Sequence, residues 1–325
     1  MGGFRGNPAL GEEKDGMIKL AVRKSPMVGK FINHLPQTVC PTFKKLSMSL
    51  GCGYQCAYCY LRLTLRQTVQ PGESIIYTNP WSDVEQGLER EGPGVYNAGE
   101  LADALNPVPM LLPQAITWFN KHHADGYTLL LQTKSTAAAL FKNYAGPGVI
   151  VGFSINSPEM AELYEQGVPT PKERLEAARC LLMMGFRVRI RLDPIILNFD
   201  APYYDPDHSL VSTALKNLER DYKYIVEEIA DLKAERVTIG TLRAARNLPI
   251  RCPDMKWFGV GDDDIEDGNY FSEKRRFYFS IRAKVYKQIA DWLGFRPAIC
   301  KETFRLWSKL RKDYNWDFQP CNCME

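Results

Sequence analysis

Residues 51–61 read Gly51-Cys52-Gly53-Tyr54-Gln55-Cys56-Ala57-Tyr58-Cys59-Tyr60-Leu61, with cysteines separated by three and then two residues. Thiols at these offsets converge on one centre if the backbone loops around it. The same offsets would also line one helical face, but Gly51 and Gly53 favour a loop. Structural zinc normally takes four protein ligands, and no fourth Cys or His lies within ten residues on either side. Three thiolates instead suit a [4Fe-4S] cluster with one iron left open to a substrate or cofactor.

Outward from this loop, short apolar runs read as buried strands at 46–50, 94–97, 127–133, 149–155, 186–192 and 236–239, with helix-like stretches between several of them. The best bounded helix covers 171–184: Thr170 suits the N-cap, Pro171 the first helical position and Gly185 the stop. Strands alternating with helices imply a parallel sheet whose functional loops follow the C-terminal strand ends. Six such units predict an α/β fold of partial-barrel type rather than a closed barrel of eight. We divide the chain into an N-terminal extension (1–40), the barrel (41–246) and a C-terminal extension (247–325). In the last, an acidic patch (Asp262, Asp263, Asp264, Glu266, Asp267) reads as a solvated loop rather than a metal site, followed by helices over 271–293 and 301–310.

The 325 residues are 45% hydrophobic and 24% charged with a formal net charge of +3, an ordinary globular composition that argues against disorder. So small a charge does not compel nucleic-acid binding. The sequence has no apolar run long enough for a bilayer, and residues 1–19 lack the apolar stretch of a secretory signal, so we expect a cytoplasmic protein with no membrane partner. Nine cysteines in that reducing compartment need a reason other than disulfides, and the odd number argues against complete pairing.

The cysteine spacing, directly after the first predicted strand and followed by Tyr-Leu, resembles the radical S-adenosylmethionine (SAM) superfamily. Three stretches narrow the resemblance to the branch of spore photoproduct lyase and the DNA-repair-photolyase-like proteins: 52–61, 129–135 (LLLQTKS) and 153–192 (FSIN, PTPKERLEAA, RVRIRLDPII). The resemblance implies a partial (β/α)6 radical SAM barrel with a helical C-terminal extension. It implies a [4Fe-4S] cluster on Cys52, Cys56 and Cys59 whose open iron chelates SAM, and a 5'-deoxyadenosyl radical made by reductive cleavage. By the same resemblance Gly99 and Glu100 would form the Gly-Glu pair whose carboxylate holds the SAM amino group. The alternative is that Glu100 opens a helix over 101–105. Lys134 would meet the SAM carboxylate, and Ser154 and Asn156 its ribose or amino-acid part, unless they are surface or turn residues. Arg191, Asp193 and Arg243 would face the barrel mouth as substrate or SAM contacts, or else form structural ion pairs. Tyr58 and Tyr60 would relay a hydrogen atom or pack over the cluster or adenine.

Two departures stand out. The lyase branch has a hydrogen-donating cysteine after the second strand, whereas here no cysteine lies between Cys59 and Cys180. The tail Pro320-Cys321-Asn322-Cys323 would fold back with Cys300, Cys252 or Cys40 onto a second iron-sulfur cluster, donate hydrogen, or remain an exposed thiol pair at a flexible end. We therefore expect a radical SAM enzyme acting on a ribosomal peptide by C–C or C–N cleavage or rearrangement, as in the related spliceases, with a separate peptide-recognition partner. The alternative substrate is a nucleic-acid lesion, for which the basic stretches 243–251 and 301–312 speak. A small-molecule substrate and a non-catalytic iron-sulfur module rank below these. The electron donor would be a flavodoxin or ferredoxin.

Overall fold

The structure, a computed structural model, describes residues 18–32, 38–65, 67–137, 144–197, 208–245, 262–266 and 269–325. The apolar run Val149–Ser154 is buried along its whole length, as a strand covered on both faces must be. It lies near the middle of an eight-stranded sheet. The order is Ala298–Ile299, Arg236–Thr241, Arg187–Ile195, Val149–Ser154, Tyr127–Thr133, Gly94–Asn97, Phe43–Leu46 and Val28–Phe31. Every pairing is parallel except that of Val28–Phe31 with Phe43–Leu46. Helices Leu112–Lys121, Pro158–Tyr164, Pro171–Met183 and His208–Leu232 carry crossovers between parallel strands. The sheet curls into a half-barrel, the partial barrel that the alternation predicts. Its two edges, Val28–Phe31 and Ala298–Ile299, come from outside residues 41–246.

Alternation along Arg187–Ile195 separates two environments. Val188, Ile190 and Leu192 join the main apolar core, while Arg189, Arg191 and Asp193 occupy the other face. Helix Pro171–Met183 begins with a complete capping box between Thr170 and Glu173 and stops before Gly185.

Five readings need correction. The run at 46–50 is two strands: Phe43–Leu46 joins the main sheet, and Ser49–Gly51 turns away to pair with Ser74–Tyr77. No helix opens after Glu100, where Ala102 bridges to Gly51 and Asp103 to Asn106. The stretch 271–293 is helical only over Phe279–Leu293. Before it, Asn269–Arg276 forms a hairpin with Asp262–Glu266, so the acidic patch is a strand rather than a loop. Its register sets Asp262 opposite Arg276 and Asp263 opposite Arg275. The last helix, Phe304–Tyr314, starts later than expected because Thr303 Oγ1 caps it by accepting from the Leu306 N–H. Asp267, Cys252 and residues 246–251 of the first basic stretch lie outside the described residues.

Replacing Thr170 by Ala removes the capping box and is predicted to cost about 1 kcal/mol. A urea titration checks it: the midpoint falls with an unchanged slope, and an unmoved midpoint contradicts it.

Candidate active site

The cysteine loop begins at Gly51, whose φ of +84° and the 2.5 Å that a Cβ would leave to the Glu73 carbonyl oxygen admit only glycine. Backbone bonds then fix the loop on two sides. Gly51 N–H donates to Leu101 O at 2.9 Å and Ala57 N–H to Tyr164 O at 2.8 Å. Gln55–Cys56 pairs antiparallel with Glu165–Gln166. The Arg62 guanidinium donates to the carbonyls of Gln55 at 2.9 Å and Cys56 at 3.0 Å. A small cleft of about 20 Å³, lined in part by Cys52, Tyr54, Cys59 and Leu65, opens against the loop.

Burial pushes all three thiols up, Cys56 to about 12, and Asp103 adds to the rise at Cys52. Buried thiols this reluctant to ionise are inert until a metal stabilises the thiolates. The donor set fits a cluster: three thiols on one clamped loop, with the Tyr54 N–H directed at Cys52 Sγ at 3.4 Å.

Glu100 lies beside the loop, because its backbone carbonyl accepts the Tyr60 hydroxyl. Carboxylate oxygen Oε2 is buried without a hydrogen-bond partner, and Lys45 Nζ stands 4.0 Å away. A buried carboxylate oxygen that receives no hydrogen bond, and is met by Lys45 only at ion-pair distance, is an acceptor for an ammonium group. Gly99 permits the approach: its N–H donates to Asn97 Oδ1 at 2.8 Å, and a Cβ would lie 2.6 Å from the Gln132 carbonyl oxygen.

Glu165, not singled out from the sequence, proves to be the hub. Its Oε1 accepts from the Tyr58 hydroxyl and from Asn156 Nδ2 at 3.2 Å, while Oε2 accepts from Arg174 Nη2 at 2.6 Å. Lys134 Nζ completes the group at 4.0 Å from Oε1 and 5.5 Å from the centre of the Tyr58 ring. Burial would raise the Glu165 carboxyl, but Arg174 and Lys134 hold it below the usual carboxylate range. Burial likewise opposes the Lys134 charge, yet Glu165 and the Cys56 thiol keep its pKa above the ordinary lysine value. Tyr58 is pushed up by burial and by Glu165, so it stays a protonated donor. Asn156 is committed within this network, its Oδ1 accepting from Tyr222 at 2.6 Å and from the Ser157 N–H at 2.9 Å. Ser154 contributes its carbonyl, which accepts from Arg174 Nη1 at 2.6 Å. No motif marks Glu165, since its position follows from pairing with Cys56 across the fold.

Arg191 and Arg243 converge on Asp193, with contacts of 2.8 Å from each guanidinium. Burial pushes the Asp193 carboxyl up, but Arg243 and Arg191 outweigh it and hold it at about 2. The tail is not a flexible end with exposed thiols. Cys321 is buried, and Asn322 is enclosed between Thr238 and the Ile190 carbonyl.

No family profile matches the chain. ORF301 of Acidianus two-tailed virus, an uncharacterised protein, is 22% identical over 248 residues, 70% of this chain and 77% of its own length. Spore photoproduct lyase of Clostridium acetobutylicum is 23% identical over 158 residues, 47% of this chain and 46% of its own length, so the match spans under half of that protein. The solved spore photoproduct lyase complexed with dinucleoside spore photoproduct superposes with a TM-score of 0.60 at 18% identity, covering 96% of this chain and 85% of that one. A lyase variant with bound AdoMet and the same dinucleoside gives 0.60 at 18% identity, covering 91% and 79%. The chain thus has the partial-barrel fold of spore photoproduct lyase, a radical SAM enzyme.

Glu165→Gln leaves Arg174 and Lys134 without their shared countercharge and is predicted to cost about 3 to 5 kcal/mol, seen as a lower urea midpoint. A change under about 1 kcal/mol would refute the hub role. The depressed Asp193 pKa contributes stability that is present above its unfolded value near about 4 and lost as pH falls toward the folded value. Asp193→Asn should flatten that part of the stability–pH profile, and an unaltered profile contradicts it.

Proposed function

We propose that this chain is a radical SAM enzyme. The observation that carries the reading is the clamped three-cysteine loop with an unmatched Glu100 oxygen beside it. When bound, a [4Fe-4S] cluster on Cys52, Cys56 and Cys59 supplies the electron that splits SAM into methionine and a 5'-deoxyadenosyl radical able to take hydrogen from a C–H bond. Glu100 Oε2 accepts the SAM ammonium, and Gly99 lets the backbone come close. The cationic Lys134, held beside Tyr58 and Glu165, attracts the SAM carboxylate. Tyr58 and Tyr60, on either side of Cys59, are the residues through which a hydrogen atom would pass, and their hydroxyls are fixed on Glu165 and on the Glu100 carbonyl. Arg191 and Arg243 are both engaged by Asp193, so we assign them to shaping the mouth rather than to chelating SAM. The electron comes from a one-electron donor protein of flavodoxin or ferredoxin type.

As substrate class we favour a nucleic-acid lesion, reversing the order expected from the sequence, because the structures that share this fold over nine-tenths of the chain include lyases holding a dinucleoside photoproduct. A peptide is the second reading, favoured by the absence of any cysteine between Cys59 and Cys180. Salt-sensitive binding to damaged DNA supports the first, and binding indifferent to salt favours the second.

Anaerobic reduction with dithionite in the presence of SAM is expected to yield 5'-deoxyadenosine. Cys52→Ala, Cys56→Ala or Cys59→Ala should abolish it, and undiminished product from any of these variants would overturn the assignment. Glu100→Gln should retain iron but weaken SAM binding about tenfold, the scale of one charge-assisted hydrogen bond. Unchanged affinity would remove Glu100 from the site.

A further inference from the structure

We propose that Cys40, Cys300, Cys321 and Cys323 form a second thiolate site, for an iron-sulfur cluster, next to the first. Three separate segments bring these cysteines together. Strand Thr38–Val39 pairs antiparallel with Glu302–Thr303, which sets Cys40 beside the chain leaving Cys300. The Cys300 N–H donates to Ile239 O at 2.8 Å, fixing it at the end of the barrel sheet. The Cys40 thiol feels the charges of Cys300 and Cys323, and Cys321 those of Cys323 and Cys300.

The tail is held with unusual completeness for a few residues. Between its two cysteines, Asn322 is fully buried: its N–H donates to Thr238 Oγ1 at 2.9 Å, its Oδ1 accepts from that hydroxyl at 2.7 Å, and its Nδ2 donates to Ile190 O at 3.1 Å. Arg189 donates to the Asn322 carbonyl at 2.7 Å, and Arg236 to that of Cys321 at 2.9 Å. Both flanking thiols are thereby aimed from a rigid base rather than from a loose end.

The surroundings ask for anionic sulfur. Arg191 Nη2 donates to Cys300 Sγ at 2.8 Å, and Asn97 Nδ2 to Cys323 Sγ at 3.7 Å. Two guanidiniums, Arg191 and Arg243, share one carboxylate, Asp193, and Lys301 adds a further cation acting on Cys40 and Cys300. Buried positive charge in excess of its carboxylates is costly unless other anions meet it, and metal-bound thiolates would. N–H···S bonds of this kind also orient cluster ligands and tune their potentials. Four thiols met by N–H···S donors suit an iron-sulfur cluster, whose ligands are cysteine thiolates. The two sites adjoin. Asn97 accepts from Gly99 N–H through Oδ1 while its Nδ2 reaches Cys323, and Tyr60 lies within electrostatic reach of Cys323.

The full chain, reconstituted anaerobically with ferrous iron and sulfide, is the material for the test. Iron, sulfide and zinc are counted in the wild type, in Cys52→Ala/Cys56→Ala/Cys59→Ala and in Cys300→Ser/Cys323→Ser. The expected result is about eight irons in the wild type and about four in each variant. The triple variant should also show a reduced-cluster paramagnetic signal that SAM leaves unaltered. About four irons in the wild type with none in the triple variant, or one zinc per chain in place of the second set, overturns the proposal. About four in both would leave the second site standing and sink the first, so the two readings fail separately. The wild-type and triple-variant counts do not depend on how the tail variant folds.

Discussion

The buried contact between Glu165 and Arg174 ties the three-cysteine loop to the barrel, and the rest of the candidate site depends on it. Both side chains are almost completely enclosed, at 1% and 0% exposure, so the ion pair is worth keeping only because its remaining hydrogen-bonding capacity is used. Tyr58, Asn156 and the Ser154 carbonyl take up that capacity. The same residue whose carboxylate anchors Tyr58 pairs through its backbone with Cys56, so side chain and main chain fix one loop from one point. Precise placement of a cofactor-bearing loop is what chemistry on an unactivated C–H bond requires.

The barrel supplies the second constraint. Its strands are apolar toward the helices and carry Gln132, Arg189, Arg191 and Thr238 on alternate positions, so the face away from the main core holds polar groups beside a small apolar cluster of Val95, Leu130 and Ile150, and the tail packs on it. The tail uses the Arg189 and Thr238 positions, while Arg191, paired with Asp193, donates to Cys300 Sγ. Among the described residues no helix is long and apolar enough to cross a membrane.

Much of this was legible in the sequence where local chemistry decides the outcome. Gly94–Asn97 and Tyr127–Thr133 have the predicted bounds because short apolar runs ended by polar residues admit few alternatives. Thr170, Pro171 and Glu173 mark their helix by capping alone. The cysteine spacing identified the candidate loop. What could not be read was pairing at a distance. The run 46–50 alternates Leu, Ser, Met, Ser and Leu without a break through a bend that sends its ends to different sheets, and 262–266 and 269–276 look like a loop and the start of a helix until their backbones pair as a hairpin. Glu165 belongs to the same class, an ordinary acidic residue until Cys56 is laid beside it, and so does Asn322, whose burial depends on Thr238.

The central claim is that the iron left open by Cys52, Cys56 and Cys59 takes SAM as its ligand. Electron paramagnetic resonance of the dithionite-reduced wild-type protein tests it most directly. The account predicts that saturating SAM changes the spectrum of the reduced cluster and that methionine-labelled SAM shows coupling from its amino nitrogen to the cluster spin. A spectrum identical with and without saturating SAM would contradict it.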